Sequence, residues 1–277
     1  PHGVLITVVG DGRSGALLAA DPDVDVVAHA GSGTTAQAIA MAAALTGARV
    51  IARPSGRHPL VVDADVDPAW AAKQTAASAF MTSGRQRIYL HRAVARSFLD
   101  TLVVEAHAVN ESGELPPLAD RQLRGIIAEQ VERATASGAR CLTGGVVPSG
   151  PGAFYPATVL GDCTPSMEVM AGDAAGPVAP TMVVEAFDDA LLAAASQGRG
   201  SAVTVLTANQ EHARRAIVEL PAGTLTLNSG TETGSDLRPF GAGQGAAGIG
   251  DGVLGYDPDL LDGFTRVKVV LWPAARG

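Results

Sequence analysis

The chain has 277 residues, 47% hydrophobic and 17% charged, with a formal net charge of -8 at pH 7. That much apolar content excludes a disordered chain, and the acidic balance excludes a non-specific nucleic-acid binder, which needs cations to neutralise phosphates. No apolar run reaches the roughly 18–20 residues of a membrane helix, so neither nucleic acid nor a membrane is an expected partner.

The opening stretch GVLITVVGDGRSGALLAA (3–20) reads as strand, glycine turn and helix, with Gly10, Gly12 and Gly15 at dinucleotide-site spacing. The next strand, VDVVAHA, ends in His29 and Ala30 rather than in the acid that takes the ribose hydroxyls of a Rossmann cofactor. Tight turning therefore explains these glycines better than a phosphate does. TAQAIAMAAALT (35–46) is apolar almost all round and predicts a buried helix, followed by the strands ARVIA and PLVVDA. Helices are predicted at PAWAAKQTAASAFMT and AVARSFLDTLVVEAHA, with the strand RIYLH between them. LADRQLRGIIAEQVERATASG shows helical spacing and a terminal glycine before the strand ARCLT. Further on, the strands PVAPTMVVEAF, AVTVLTA and GTLTLN alternate with the helices DDALLAAASQ and NQEHARRAIVEL. A long loop (228–255), with a second glycine match at Gly243, Gly245 and Gly248, precedes a last strand, RVKVVLW. Long loops in compact domains usually have a function. The alternation predicts an α/β protein with parallel sheets covered by helices.

Two cysteines, Cys141 at a buried strand start and Cys163 in a turn, suit a reducing cytosol and give no disulfide framework. With no leader pattern at the amino end, a cytoplasmic location is expected. Of the histidines, His91 at a strand end reads as structural and His212 as solvated on an exposed helix. His29 and His58 lie near the glycine and arginine stretches that matter below. No His, Cys, Asp or Glu spacing suggests a metal site.

Several stretches together resemble the aldehyde dehydrogenase superfamily. They are GVLITVVGDGRSGALLAADPDVDVVAHAGS, RPSGRHPLVVDADVDPAW, AFMTSG with RIYLHRAVARSFLDTL, GPVAPTMVVEAFDDAL, and GTLTLNS with RPFGAGQGAAGIG and GFTRVKVVLW. They are collinear and cover nearly the whole chain. The resemblance implies a partial Rossmann-type coenzyme domain (1–56), a parallel α/β catalytic-type domain (57–258) and a carboxyl-terminal arm (259–277). It places the cofactor not at Gly10 but over the later turn, Gly31, Ser32, Gly33, Thr34, Thr35 and Ala36, at a helix N-terminus. The family Thr is Gly33 here and the last glycine is Ala36.

Other departures bear on chemistry. Family members begin well upstream, with strands that carry an oxyanion-hole Asn and a ribose-gripping Lys. TSG runs straight into RQRIYLH, so the family's nucleophilic cysteine has no counterpart. The general-base Glu matches Arg53, whose guanidinium takes no proton at neutral pH. The ribose-binding Glu matches Asp173, and the Phe after it is Ala175. Gly31, Ser32, Thr34 and Asp173 are thus the candidate cofactor residues, and any grip on NAD(P) is expected to be weakened. No cofactor is firmly expected.

In the family the Arg53 and Gly84 segments meet at the base of the substrate tunnel. Arg53, Arg57, His58, Arg85 and Arg87 are therefore expected to form a cationic pocket for a small carboxylate or phosphate. Three readings follow: a repurposed binding protein or non-redox lyase, isomerase or cyclase; a fragment or split subunit of an NAD(P)-dependent aldehyde dehydrogenase; or an interaction protein for a full-length relative. The uncovered apolar surface implied by the truncation predicts a homo-oligomer or pairing with a related subunit.

Overall fold

The structure is a computed structural model that describes residues 3–55, 58–80, 86–172, 176–196, 200–229, 264–266 and 268–270, with 53–55 and 200–201 by backbone alone. Residues 4–9, expected as the first strand, form none, and Val4, Leu5, Ile6, Val8 and Val9 are 67–96% exposed. A run that is apolar on both sides becomes a strand only between neighbouring strands and under covering layers, and the described residues supply neither here. Helix α1 (Gly12–Ala19) still starts, because Asp11 accepts from the N–H groups of Arg13 (3.0 Å) and Ser14 (3.4 Å). Gly10 makes that turn fit: a Cβ there would lie 2.3 Å from the Ser14 hydroxyl.

Strand β1 (Val26–Ser32), helix α2 (Gly33–Thr46) and strand β2 (Arg49–Ser55) form one βαβ unit, a two-stranded parallel sheet in which Val26 faces Arg49 and Ser32 faces Ser55. Ser32 caps α2 at one end, and Gly47, with φ 77°, closes it at the other. The expectation of a buried helix fails. Ala36 and Ala43 are buried, but Met41 and Leu45 face outward, because the sheet that α2 covers has two strands among the described residues.

Among the described residues the main sheet has seven strands. They are β3 (His58–Val62), β4 (Gln86–His91), β5 (Arg140–Thr143), β6 (Thr158–Gly161), β7 (Val178–Val184), β8 (Gly200–Leu206) and β9 (Ala222–Leu227). Their order is β5-β6-β7-β4-β3-β8-β9, parallel throughout except between β5 and β6. The helices are α3 (Pro68–Phe80), α4 (Arg92–Ser112), α5 (Arg121–Ala136), α6 (Glu168–Ala171), α7 (Phe187–Ser196) and α8 (Gln210–Glu219). Strand period 2 splits the core into two layers. Leu60, Val62, Ile88 and Leu90 pack with α3 and α4, through residues such as Phe80, Phe98 and Leu102. Val61 and Tyr89 face α5, α6, α7 and α8, through Ile127, Met170, Phe187 and Ala216. The described part of the carboxyl-terminal segment is not in a strand, contrary to expectation, and Val269 and Val270 are exposed.

Candidate functional site

Of the residues expected to form a cationic pocket, His58 and Arg87 lie at the amino ends of β3 and β4. His58 opens β3 directly opposite Gln86, and Arg87 is opposite Pro59. Adjacent register positions point to opposite faces of a sheet, so His58 shares the α3–α4 side and Arg87 the other. The two do not share a pocket. Arg87 is 4% exposed and donates Nε to the Met170 carbonyl (3.0 Å), one terminal nitrogen to Gln86 (3.0 Å) and the other to Gly172 (2.6 Å). A buried guanidinium needs such partners, since desolvating a charge without them is costly. Arg87 thus clamps the end of α6 and the backbone one residue before Asp173, which corrects its expected place as a ligand-facing cation. The cavity beside it, lined by Ile127, Gln130, Val131, Val169 and Gly176, has about 10 Å³, room for about one water. Arg57, Arg85 and Asp173 lie outside the described residues, as does the side chain of Arg53.

At the second candidate turn, Gly31, Ser32 and Thr34 do come together at the N-terminus of α2. The Ser32 hydroxyl accepts from the Thr35 N–H (3.1 Å) and lies 3.0 Å and 2.8 Å from the hydroxyls of Thr34 and Thr35. His29 fills the side of Gly31 on which a Cβ would project, at 2.6 Å, and its Nε2 is buried without a hydrogen-bond partner among the described residues. A dinucleotide pyrophosphate needs close approach to bare backbone at such a turn. With the imidazole over Gly31 and the Ser32 hydroxyl held in the cap, these residues do not fit that group.

Cys141 does not face the amino ends of β3 and β4. Cys141 is on the edge strand β5, three strands from β4, on the order of 14 Å at normal strand spacing. It is exposed rather than buried, as an edge position allows. Its Sγ contacts the carbonyls of Thr143 (3.5 Å) and Gly144 (3.8 Å), and partial burial of the thiol pushes its pKa up. Cys163 is buried in the core layer beside α5 and α7, where burial raises its thiol to about 11. Protonated thiols are poor nucleophiles.

One polar cluster was not anticipated. Asp63, 3% exposed at the end of β3, accepts from the Thr207 hydroxyl (2.7 Å) and lies 2.6 Å from Nδ1 of His212. Burial pushes the Asp63 carboxyl up, but the bonds from His212, Thr207 and the Ala64 N–H together outweigh it and hold it below the ordinary range. His212 also stacks on Phe187, ring centres 4.1 Å apart and 5° from parallel. It is therefore not the solvated residue its helix position suggested. An acid closing the apolar run PLVVD was the available signal. His91 holds its expected structural place, with Nδ1 accepting from the Ala93 N–H (3.1 Å) to cap α4. Among the described residues no group of three His, Cys, Asp or Glu could hold a metal ion, and no helix is long and apolar enough to cross a membrane.

The sequence pattern of the aldehyde dehydrogenase family matches residues 1–270. Among solved structures, the chain is similar to lactaldehyde dehydrogenase from Escherichia coli (27% identity, TM-score 0.82, covering 90% of this chain and 54% of that one). It is also similar to an NAD-dependent aldehyde dehydrogenase from Sinorhizobium meliloti (26%, TM-score 0.85, 97% and 56%). Betaine aldehyde dehydrogenase from Staphylococcus aureus, solved with NAD+, shares the fold (23%, TM-score 0.83, 92% and 53%). The chain thus spans a little over half the length of these structures.

Proposed function

From a chain that belongs to the aldehyde dehydrogenase family, we infer a protein that does not oxidise aldehydes unaided and that holds a small anion at the amino ends of β3 and β4. The observation that carries this reading is the placement of the two thiols. Aldehyde oxidation needs a thiolate to form the hemithioacetal from which hydride leaves, and a base to activate it. Cys141 sits on a distant edge strand and Cys163 inside the core, both with raised pKa values. In the sequence resemblance, Arg53 matches the family's general-base Glu. Arg53, Arg57 and Arg85, with His58, supply cations suited to bidentate contact with a carboxylate or phosphate. The same charges would stabilise an oxyanion in a lyase, isomerase or cyclase step.

The test pairs two measurements. Incubation with NAD or NADP and a panel of aldehydes is expected to give no reduced cofactor. Thermal shift with small carboxylates and inorganic phosphate is expected to raise Tm, because binding to the native state stabilises it, and Arg53→Ala is expected to abolish that rise. Cofactor reduction silenced by alkylating Cys141 or Cys163 would overturn the reading.

A second reading, an oxidoreductase half completed by a partner, draws on the partial coverage of the solved structures. Cofactor reduction that appears only when a related subunit is added would favour it. An interaction role for the carboxyl-terminal arm draws on Arg266, which pairs with Asp25 at 2.9 Å beside the start of β1.

A further inference from the structure

We propose that His212, with Asp63 as its positioning residue, is a nucleophilic site that takes the acyl group of small uncharged esters and passes it to water. The site lies at the other end of β3 from His58, about 16 Å away at normal strand rise, and does not rest on the anion reading.

Asp63 follows β3, Thr207 follows β8, and His212 lies in the first turn of α8. The Asp63 carboxyl is held below its ordinary range, so at neutral pH it is ionised and can only accept hydrogen bonds. Its 2.6 Å contact with Nδ1 of His212 therefore requires the proton on Nδ1. The lone pair of the neutral ring is then on Nε2. Phe187 fixes the ring plane by its parallel stack. One nitrogen is tied down and one face is covered, while Nε2 has no hydrogen-bond partner among the described residues. Solvent reaches 30% of the His212 side chain but 3% of that of Asp63. A buried carboxylate behind an imidazole sets its tautomer and opposes the positive charge the ring acquires as it reacts. Fastening α8 to the sheet uses the Nδ1 bond alone and gives the open nitrogen no role.

Nearby charge selects the substrate. Asp65 accepts from the Ala208 N–H (3.0 Å) beside Thr207, and Glu211 adjoins His212 in the first turn of α8. Arg214 and Arg215 are engaged by Glu211, Glu219 and Asp188. Three carboxylates around one imidazole repel a phosphoryl dianion but not an uncharged ester. In the reaction the Nε2 lone pair forms a bond to the acyl carbon as the carbon–oxygen bond breaks. The alkoxide leaves with that electron pair and takes a proton from water. The hydroxide so formed adds to the acyl group, and the carbon–nitrogen bond breaks back to Nε2. One ester and one water become one carboxylic acid and one alcohol.

The experiment follows nitrophenolate release from para-nitrophenyl acetate and from para-nitrophenyl phosphate by the full chain carrying Cys141→Ser, so that the exposed thiol takes no part. The expected rate on the acetate is at least about tenfold that of an equal concentration of free imidazole, with no release from the phosphate. His212→Gln is expected to remove the excess. Asp63→Asn is expected to lower it at least about tenfold, and nitrogen NMR of the imidazole is expected to show that the single Nδ1–H tautomer is lost. Acid quenching and mass spectrometry of the parent chain, which need no variant at the site, are expected to find acetyl on His212. A rate no greater than that of free imidazole, a rate that survives His212→Gln, or acetyl only on other residues would overturn the proposal. So would an Asp63→Asn protein with unchanged rate and tautomer, or equal turnover of the phosphate. None of these readouts involves Arg53 or NAD(P), so the two proposals fail separately.

Discussion

Residues 3–55 and residues 58–229 are written in the same strand-and-helix grammar, yet they bury very different things. In the first region every buried hydrophobic residue except Ile51 is an alanine, while Leu5, Val9, Met41 and Leu45 face outward. In the second, Tyr89, Tyr155, Phe80, Phe98, Leu60, Leu102, Leu160 and Met170 are fully enclosed between a seven-stranded sheet and helices on both its faces. Local rules suffice to start a helix: Asp11 caps α1 in the thin region much as Asp120 caps α5 in the thick one. They do not suffice to bury anything. Burial needs a second layer, and the apolar transfer term follows the area removed from water.

The sharpest way to break the comparison is to cut equal-looking side chains from both regions. Phe98→Ala is expected to cost about 3–5 kcal/mol in urea unfolding, the usual penalty for a phenylalanine cavity. Leu45→Ala on α2 is expected to stay within about 0.5 kcal/mol, as for an ordinary surface change. A comparable loss at Leu45 would show that α2 is covered after all.

Arg87→Met comes next. It keeps an apolar stem but strips donors from the carbonyls of Met170, Gln86 and Gly172. Unsatisfied buried acceptors set the expected loss at about 2–3 kcal/mol, read from the denaturation midpoint.

Asp63→Asn tests how the second region fastens α8 to its sheet, with an expected cost of about 1–2 kcal/mol at neutral pH. The Asp63 carboxyl is held below its ordinary value. Its contribution is therefore fully present above the unfolded carboxylate range, about pH 4, and is lost as pH falls through the lower folded value. Stability curves of the two proteins measured between pH 6 and pH 2.5 should converge at the acid end. A gap that stays constant with pH would show that the charge on Asp63 is immaterial.

The smallest effect separates the two caps. Asp120→Ala should lower the global unfolding free energy by about 1 kcal/mol. Asp11→Ala is expected to leave the global midpoint where it is and to speed only the exchange of the α1 amides, since Ala19 is the one buried residue of α1.

The sequence by itself determined the elements that depend on near neighbours. Alternation placed β1 to β4 and β7 to β9 within a few residues, and helical spacing with capping residues placed α3, α4, α5, α7 and α8. Strand β5 (Arg140–Thr143) was legible as ARCLT after a well-punctuated helix, whereas strand β6 (Thr158–Gly161) and helix α6 (Glu168–Ala171), four residues each, carried no such flanking signal. The collinear motifs carried the family, which the match over residues 1–270 bears out. Tertiary structure alone decided the fates of single polar groups, because their partners are far along the chain. Arg87 meets carbonyls 83 and 85 residues away, and His212 meets Asp63 across 149. It also decided that GVLITVV is not a strand. A strand is completed by its neighbours, and the hydrogen bonds and covering layers that define one belong to the sheet rather than to the run of residues.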